Sequence, residues 1–430
     1  MRSEQPQPFS ALSPGLRLMI VIAWLFTAIA HETTGLSAEP AKRAVLVVQR
    51  EYVHNLQLKT ELDRYVALVR QRFDTDLVVY PADGDISPAK LRAGLQKLHA
   101  NGGISGAFLV GQFQFPTFHN ACGDESTMFA YYSDLDGQIE DRDRDSKFDY
   151  YDPWLQGEAS KKPVHELWIA VLRPYYHHKQ DLRSLKEIQA YFHKVNDHLK
   201  RFKIAKDNQA AILTSMDWPQ LTHLHEALKP VYSNRVVQRG GFDAARKPIA
   251  TTPDDLRYVL SQPAEICFLY AHSGSSQHVL DAPAFPGNCV LPGVLDFPGR
   301  VLLESLDVKS RILSIWGCHA LDIQNVKYMN NRFLADSYLF TPHFATQTLL
   351  GSSRSIGLEQ IEFLIPKCKR QCLAYAWTDY LNHCYSQPFL KEWLGSRGVW
   401  EKERYGFDWG YCIYGNPFDK LGLQTLPADD

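Results

Sequence analysis

Apolar residues in this chain alternate between short unbroken runs and longer stretches with helical spacing. Ala44 to Val48 is a β-branched run, and it is followed by Leu58, Leu62, Tyr65, Val66, Val69 and Phe73 on one helical face. Leu77 to Tyr80 reads as the next strand. Ser87-Pro88 then opens a helix with a capping side chain and proline at the first helical position. Gly106 to Val110 is a further strand. After an irregular acidic stretch from Thr117 to Lys162 the alternation resumes with a strand at Leu167 to Leu172. A long amphipathic helix through Leu182, Leu185, Ile188, Tyr191, Phe192, Val195 and Leu199 follows. Ala210 to Thr214 (strand), Pro219 to Leu228 (helix) and a capped helix start at Thr252-Pro253-Asp254-Asp255 come next. Two apolar strands, Ile266 to Ala271 and Ile312 to Trp316, lead to Thr346 to Gly351, a helical stretch from Gln371 to Cys384, and Tyr414-Gly415-Asn416-Pro417. Strands alternating with helices predict parallel βαβ units in an α/β fold.

The N-terminus changes this picture. Leu18 to Ala30 is uncharged and apolar, yet shorter than the roughly 20 residues a membrane-spanning helix needs. It fits a signal-peptide core, with Ala28-Ile29-Ala30 or Leu36-Ser37-Ala38 as the cleavage site. The expectation is a secreted, periplasmic or cell-surface protein with no membrane attachment after signal cleavage. The rest of the composition is that of a globular chain, 45% hydrophobic and 22% charged, and a formal net charge of −2 argues against nucleic acid as a partner.

Candidate chemistry falls where two strands end. Ile266 to Ala271 runs into His272-Ser273-Gly274, and Ile312 to Trp316 runs into Gly317-Cys318-His319. In open parallel sheets, ligands bind outside the carboxyl ends of strands. If these strands are neighbours, both groups emerge at one edge. A thiol attacks only as thiolate, and an adjacent imidazole supplies the base that forms it. Gly317 and Gly274 are small enough to let backbone N–H groups approach a tetrahedral oxyanion. Eight cysteines are present. With Cys318 reserved as nucleophile an odd number remains, so at least one further thiol is unpaired, and Cys267 within its apolar strand fits that description. Disulfide pairings stay open. No Gly-x-Ser-x-Gly elbow, phosphate-binding loop or His-Glu-x-x-His motif is present.

The order of these features resembles the cysteine peptidases grouped with caspases, legumains and gingipains, and most closely the gingipain branch. Gly106 to Gly111 with Phe115-Pro116, Tyr132-Ser-Asp134-Leu-Asp136-Gly137, Val171-Leu172-Arg173-Pro174, Gly351-Ser352-Ser353-Arg354 and Tyr414-Gly415-Asn416-Pro417 each resemble a segment of that family. The resemblance runs from Ala44 to about Leu421. It implies Cys318 as nucleophile and His272 as general base. The oxyanion hole would be built around Ser273, Gly274, Gly317 and the Cys318 N–H. Asp124 or Glu125 would be the acid that orients the histidine. Three positions depart from the family: Ser273 replaces a glycine, Asn416 replaces an aspartate, and Thr127-Met128 stand where the orienting acid is expected. The expected fold is a caspase-like three-layer sandwich with a mostly parallel sheet, preceded by a smaller α/β subdomain. Residues 1–38 would be the signal peptide, 39–162 the N-terminal subdomain and 163–425 the catalytic subdomain. The implied function is hydrolysis of peptide or protein substrates. A catalytically inactive binding relative and a sortase-like transpeptidase are the alternatives.

A second constellation lies in the acidic stretch. Asp141, Asp143, Asp145, Asp149 and Asp152 occupy the first, third, fifth, ninth and twelfth positions of a loop, with the Lys147 carbonyl at the seventh. That register converges oxygens on one cation and predicts a structural Ca2+ ion. Ser146 stands at the sixth position, where glycine is usual.

Overall fold

β1 (Lys42–Gln49) is a buried strand at the heart of the N-terminal half, and every residue from Ala44 to Gln49 is shielded from solvent. The computed structural model describes residues 42–119, 125–152, 164–174, 182–204, 208–215, 222–233, 235–281, 289–291, 301–324, 333–354, 361–386 and 409–425. Ten strands form one sheet: β1, β2 (Thr75–Ala82), β3 (Ile104–Val110), β4 (Trp168–Leu172), β5 (Ala210–Thr214), β6 (Val236–Gly240), β7 (Ile266–Tyr270), β8 (Ile312–Trp316), β9 (Thr348–Ser352) and β10 (Tyr411–Gly415). Their order is β6-β5-β7-β8-β9-β10-β4-β3-β1-β2. Every neighbouring pair is parallel except β9 and β10. In β4, β5 and β7 all residues are buried, although successive side chains point to opposite faces. Both faces are therefore covered, as a parallel sheet requires. The architecture is the expected α/β sandwich.

The helices obey local rules. α1 (Leu56–Phe73) is capped by the Asn55 side chain, and α2 (Pro88–Gly102) by Ser87 with Pro88 in the first turn. α3 (Leu182–Arg201) packs on α1 through the edge-to-face pair Tyr65 and Phe192, 5.2 Å between centroids. α4 (Thr222–Tyr232) runs past Pro230, beyond the helix expected from sequence. α5 (Pro253–Leu260) begins with a full capping box between Thr252 and Asp255. α6 (Leu334–Phe340), α7 (Leu364–Arg370) and α8 (Leu373–Ser386) complete the longer helices among the described residues.

The division expected at residue 162 coincides with no break in the sheet. β4 lies after it in sequence yet pairs with β3 on one side and β10 on the other. Residues 42–430 form one compact unit. The signal segment 1–38, Cys122, Asp124 and the helix start at Pro219 lie outside the described residues. Among the described residues no helix is long and apolar enough to cross a membrane.

Candidate active site

β7 and β8 are hydrogen-bonded neighbours, with Tyr270 opposite Trp316. Their side chains continue the match, since the two rings stack at 5.6 Å. One step beyond lie Ala271 and Gly317, and two steps beyond lie His272 and Cys318. Both candidate groups thus leave the sheet from the carboxyl ends of adjacent parallel strands. Gly317 shows how closely the two turns approach. A Cβ built there would lie 2.5 Å from both Cβ and Oγ of Ser273 and 2.8 Å from the Ala271 carbonyl oxygen. No side chain fits in that gap, so glycine is required between Trp316 and Cys318. Gly274, by contrast, faces open space.

His272 is carried on a small antiparallel hairpin, His272–Gly274 with Gln277–Val279. Ser275 at its tip accepts a hydrogen bond from the Leu334 N–H at the start of α6, 2.8 Å. At its base Asp281 accepts from the Ser215 hydroxyl, just past β5, and from the Thr251 hydroxyl at 2.9 Å. His272 is exposed and Cys318 half-buried. Cys267, Cys368, Cys372, Cys384 and Cys412 are all buried. Burial pushes the Cys372 thiol up to about 12 and raises those of Cys267, Cys368 and Cys412 as well. A thiolate at any of those four would lose more hydration than its neighbours restore. Cys267 is a buried thiol within β7, where the sequence puts it.

The segment after Cys318 turns back onto β9. His319 has φ of 54°, its N–H donates to the Arg354 carbonyl at 2.6 Å, and its Nδ1 lies 2.8 Å from the Ser353 carbonyl. Leu321 N–H donates to the Ser352 carbonyl at 3.0 Å. Asp322 is a buried carboxylate that sequence reasoning passed over. Its Oδ1 accepts from Thr127 N–H (3.2 Å), the Thr127 hydroxyl (2.9 Å) and Gln324 N–H (3.2 Å). Its Oδ2 lies 3.5 Å from Nδ1 of His319. Thr127, in the position where an orienting acid is expected, therefore anchors a carboxylate that comes from the loop after Cys318. Glu125 is ion-paired with Lys147 of the acidic loop.

In that loop the structure brings Asp141, Asp143 and Asp145 together, with carboxylate oxygens within 4.8 Å of one another. Ser146 adopts φ of 74°, the left-handed conformation for which glycine is usual at this place. Asp149 turns instead to the Arg142 N–H at 2.8 Å, and Asp152 sits in a two-stranded ribbon opposite Gln138. Three hard oxygen donors on a tightly turned loop fit a calcium ion better than a transition metal. Asp134, Asp136 and Glu166 form a second acidic group. Burial raises Asp134 to about 6 and Glu166 to about 7.

No family model matches the chain, and no curated protein sequence matches it. Solved structures do. The crystal structure of the Arg-specific cysteine proteinase gingipain R (RGPB) superposes with a TM-score of 0.51 at 11% identity, covering 91% of this chain and 80% of that one. A second structure, described as a protease, gives a TM-score of 0.55 at 12% identity over 89% of this chain and 79% of its own. The chain has a gingipain-like fold.

Proposed function

We propose that this protein is an exported cysteine endopeptidase in which Cys318 attacks the peptide carbonyl and His272 manages the proton. The observation that carries the reading is the emergence of both residues from the carboxyl ends of β7 and β8, with Gly317 pressed against Ser273 between them. His272 takes the thiol proton as the thiolate attacks and returns it to the leaving amine, so that a thioester acyl-enzyme forms and water then hydrolyses it. The Cys318 N–H and an N–H of the Ser273-Gly274 turn would receive the oxyanion. Asp141, Asp143 and Asp145 would hold a structural calcium ion on the acidic loop. Proteolysis by structural neighbours at 11–12% identity supports the reaction class and leaves the preferred residue at the scissile bond open.

The test is digestion of a peptide library by the protein recovered from its host's exported fraction, where N-terminal sequencing should find His31 or Glu39 first. Wild type, Cys318→Ala, His272→Ala and the double variant are compared. Either single substitution should remove nearly as much activity as both together, because the two groups act as one unit. Equal cleavage by wild type and Cys318→Ala sinks the reading. Absence of cleavage by wild type under reducing conditions with calcium favours a binding protein.

A further inference from the structure

Ser273, the residue that follows His272, is tied to two buried polar groups that the chemistry proposed above does not use. Its Oγ lies 2.8 Å from Nδ1 of His278, across the hairpin. Nε2 of His278 lies 2.9 Å from the hydroxyl of Tyr338, on α6. Oγ of Ser273 also donates to the Ala271 carbonyl at 3.2 Å. One direction of donation satisfies all three contacts. Tyr338 O–H donates to Nε2, Nδ1–H donates to Ser273, and Ser273 O–H donates to Ala271. His278 is 1% exposed and Tyr338 fully buried, so the bond between them is shielded from competition by water, while Ser273 is half-buried.

The chain ends where the Ser273 side chain packs against Gly317. Ser273 Cβ and Oγ are the atoms that leave no room for a side chain at Gly317. A hydroxyl locked from behind therefore sets the spacing between the turn that carries His272 and the turn that carries Cys318. α6 grips the same hairpin twice, through Tyr338 on His278 and through Leu334 N–H on the tip carbonyl of Ser275. Burial depresses His278 to about 4, so its ring stays neutral and keeps one donor and one acceptor from mildly acidic pH upwards.

We infer that Ser273 is a positioning residue for the Cys318–His272 pair, held in place by His278 and Tyr338. The inference rests on the cysteine-peptidase reading, since a turn can be positioned only for the groups it carries. It gives a reason for the serine at this position. This chain fixes the turn by a side-chain lock anchored in α6.

The experiment follows alkylation of Cys318 by iodoacetamide between pH 5 and 9, located by mass spectrometry, on full-length mature protein. Peptide kcat and KM and the melting temperature are measured alongside. Wild type, His272→Ala, Ser273→Ala and Tyr338→Phe are compared. His272→Ala should move the alkylation profile to higher pH. An unchanged profile there overturns the Cys318–His272 pairing itself, whatever the other variants do. With that shift present, Ser273→Ala should lower kcat and the alkylation rate at neutral pH by about three- to tenfold, the range of one lost hydrogen bond. KM should stay unchanged. Tyr338→Phe, which keeps the ring and removes only the far end of the chain, should act in the same direction with a smaller effect. If both variants keep wild-type kcat and alkylation, or lose melting temperature alone, the positioning role is wrong while the pairing stands. Should Ser273→Ala fail to fold, Tyr338→Phe decides.

Discussion

The same two strands carry opposite designs at their two ends. At the amino ends Glu265 precedes β7 and Arg311 precedes β8, and the two side chains meet at 2.8 Å with 2% and 10% exposure. Arg311 Nε also donates to Asp419 at 2.8 Å, while Glu265 accepts from Gly422 N–H, Asn208 and Tyr232. Burial alone would lower the Arg311 pKa, but the charges of Asp419 and Glu265 raise it, so the guanidinium stays charged. The segment 419–422 closes over this network. At the carboxyl ends His272 is exposed, Cys318 half-buried, and a glycine stands where a side chain would fill the gap. Charge at one end is paired and buried, whereas at the other end an imidazole and a thiol are left within reach of solvent. A parallel sheet makes this separation natural, since all amino ends of neighbouring strands share one edge.

The widest gap between the ends should appear with the proposed Cys318–His272 pair. Cys318→Ala should reduce peptide cleavage by at least about a thousandfold, the scale seen when a nucleophile is removed from a coupled unit. Its urea midpoint should stay close to wild type, because a half-buried thiol contributes little packing. Arg311→Met inverts the pattern. It leaves Glu265 and Asp419 as buried carboxylates without their cation, which costs about 3–5 kcal/mol. Urea unfolding should show that loss, while native protein still alkylates at Cys318 with the wild-type pH profile. A stability change under about 1 kcal/mol would mean that the amino-end network is not an anchor.

Sequence showed the carboxyl end far better than the amino end, and for a physical reason. β7 and β8 are unbroken apolar runs that stop abruptly at His272 and at Gly317-Cys318, so both the strands and the break are local signals. Arg311 meets Asp419 across 108 positions, Asp322 meets Thr127 across 195, and His278 meets Tyr338 across 60. None of those partners leaves a local pattern. β6 was likewise missed, because Val236–Gly240 is a half-buried edge strand ending in Arg239-Gly240. α7 was missed as well, being a short helix that carries Pro366 in its first turn. The acidic loop was legible as spacing, but only its first three carboxylates converge, since Asp149 is drawn to the Arg142 N–H.

That loop offers a third way to probe the contrast, because it touches neither end directly. Phe148 exchanges backbone hydrogen bonds with the strand at Thr117–His119, which pairs with Glu125–Thr127, and Thr127 reaches Asp322. A calcium ion bound to the native state alone adds about 2.7 kcal/mol at a hundredfold excess over Kd. Melting temperature should rise with millimolar calcium, and the rise should vanish in Asp143→Ala combined with Asp145→Ala. Identical melts in chelator and in calcium would remove the ion from the picture.

The smallest effect should come from the residue next to Cys318. His319 follows Cys318 directly. Its backbone turns through the left-handed region, and its ring engages the Ser353 carbonyl and the Asp322 carboxylate on the β9 side. With Nδ1 engaged there, the imidazole fastens the loop after Cys318 to the end of the next strand. His319→Ala removes about one hydrogen bond, a net change near 1 kcal/mol. Asp322 keeps the donors of Thr127 and Gln324, so its carboxylate is not left bare. Cleavage by His319→Ala should therefore stay within about tenfold of wild type, with the same pH dependence. A loss as deep as that of His272→Ala would move the base to the other side of Cys318. The reactive edge would then lie between β8 and β9 rather than between β7 and β8.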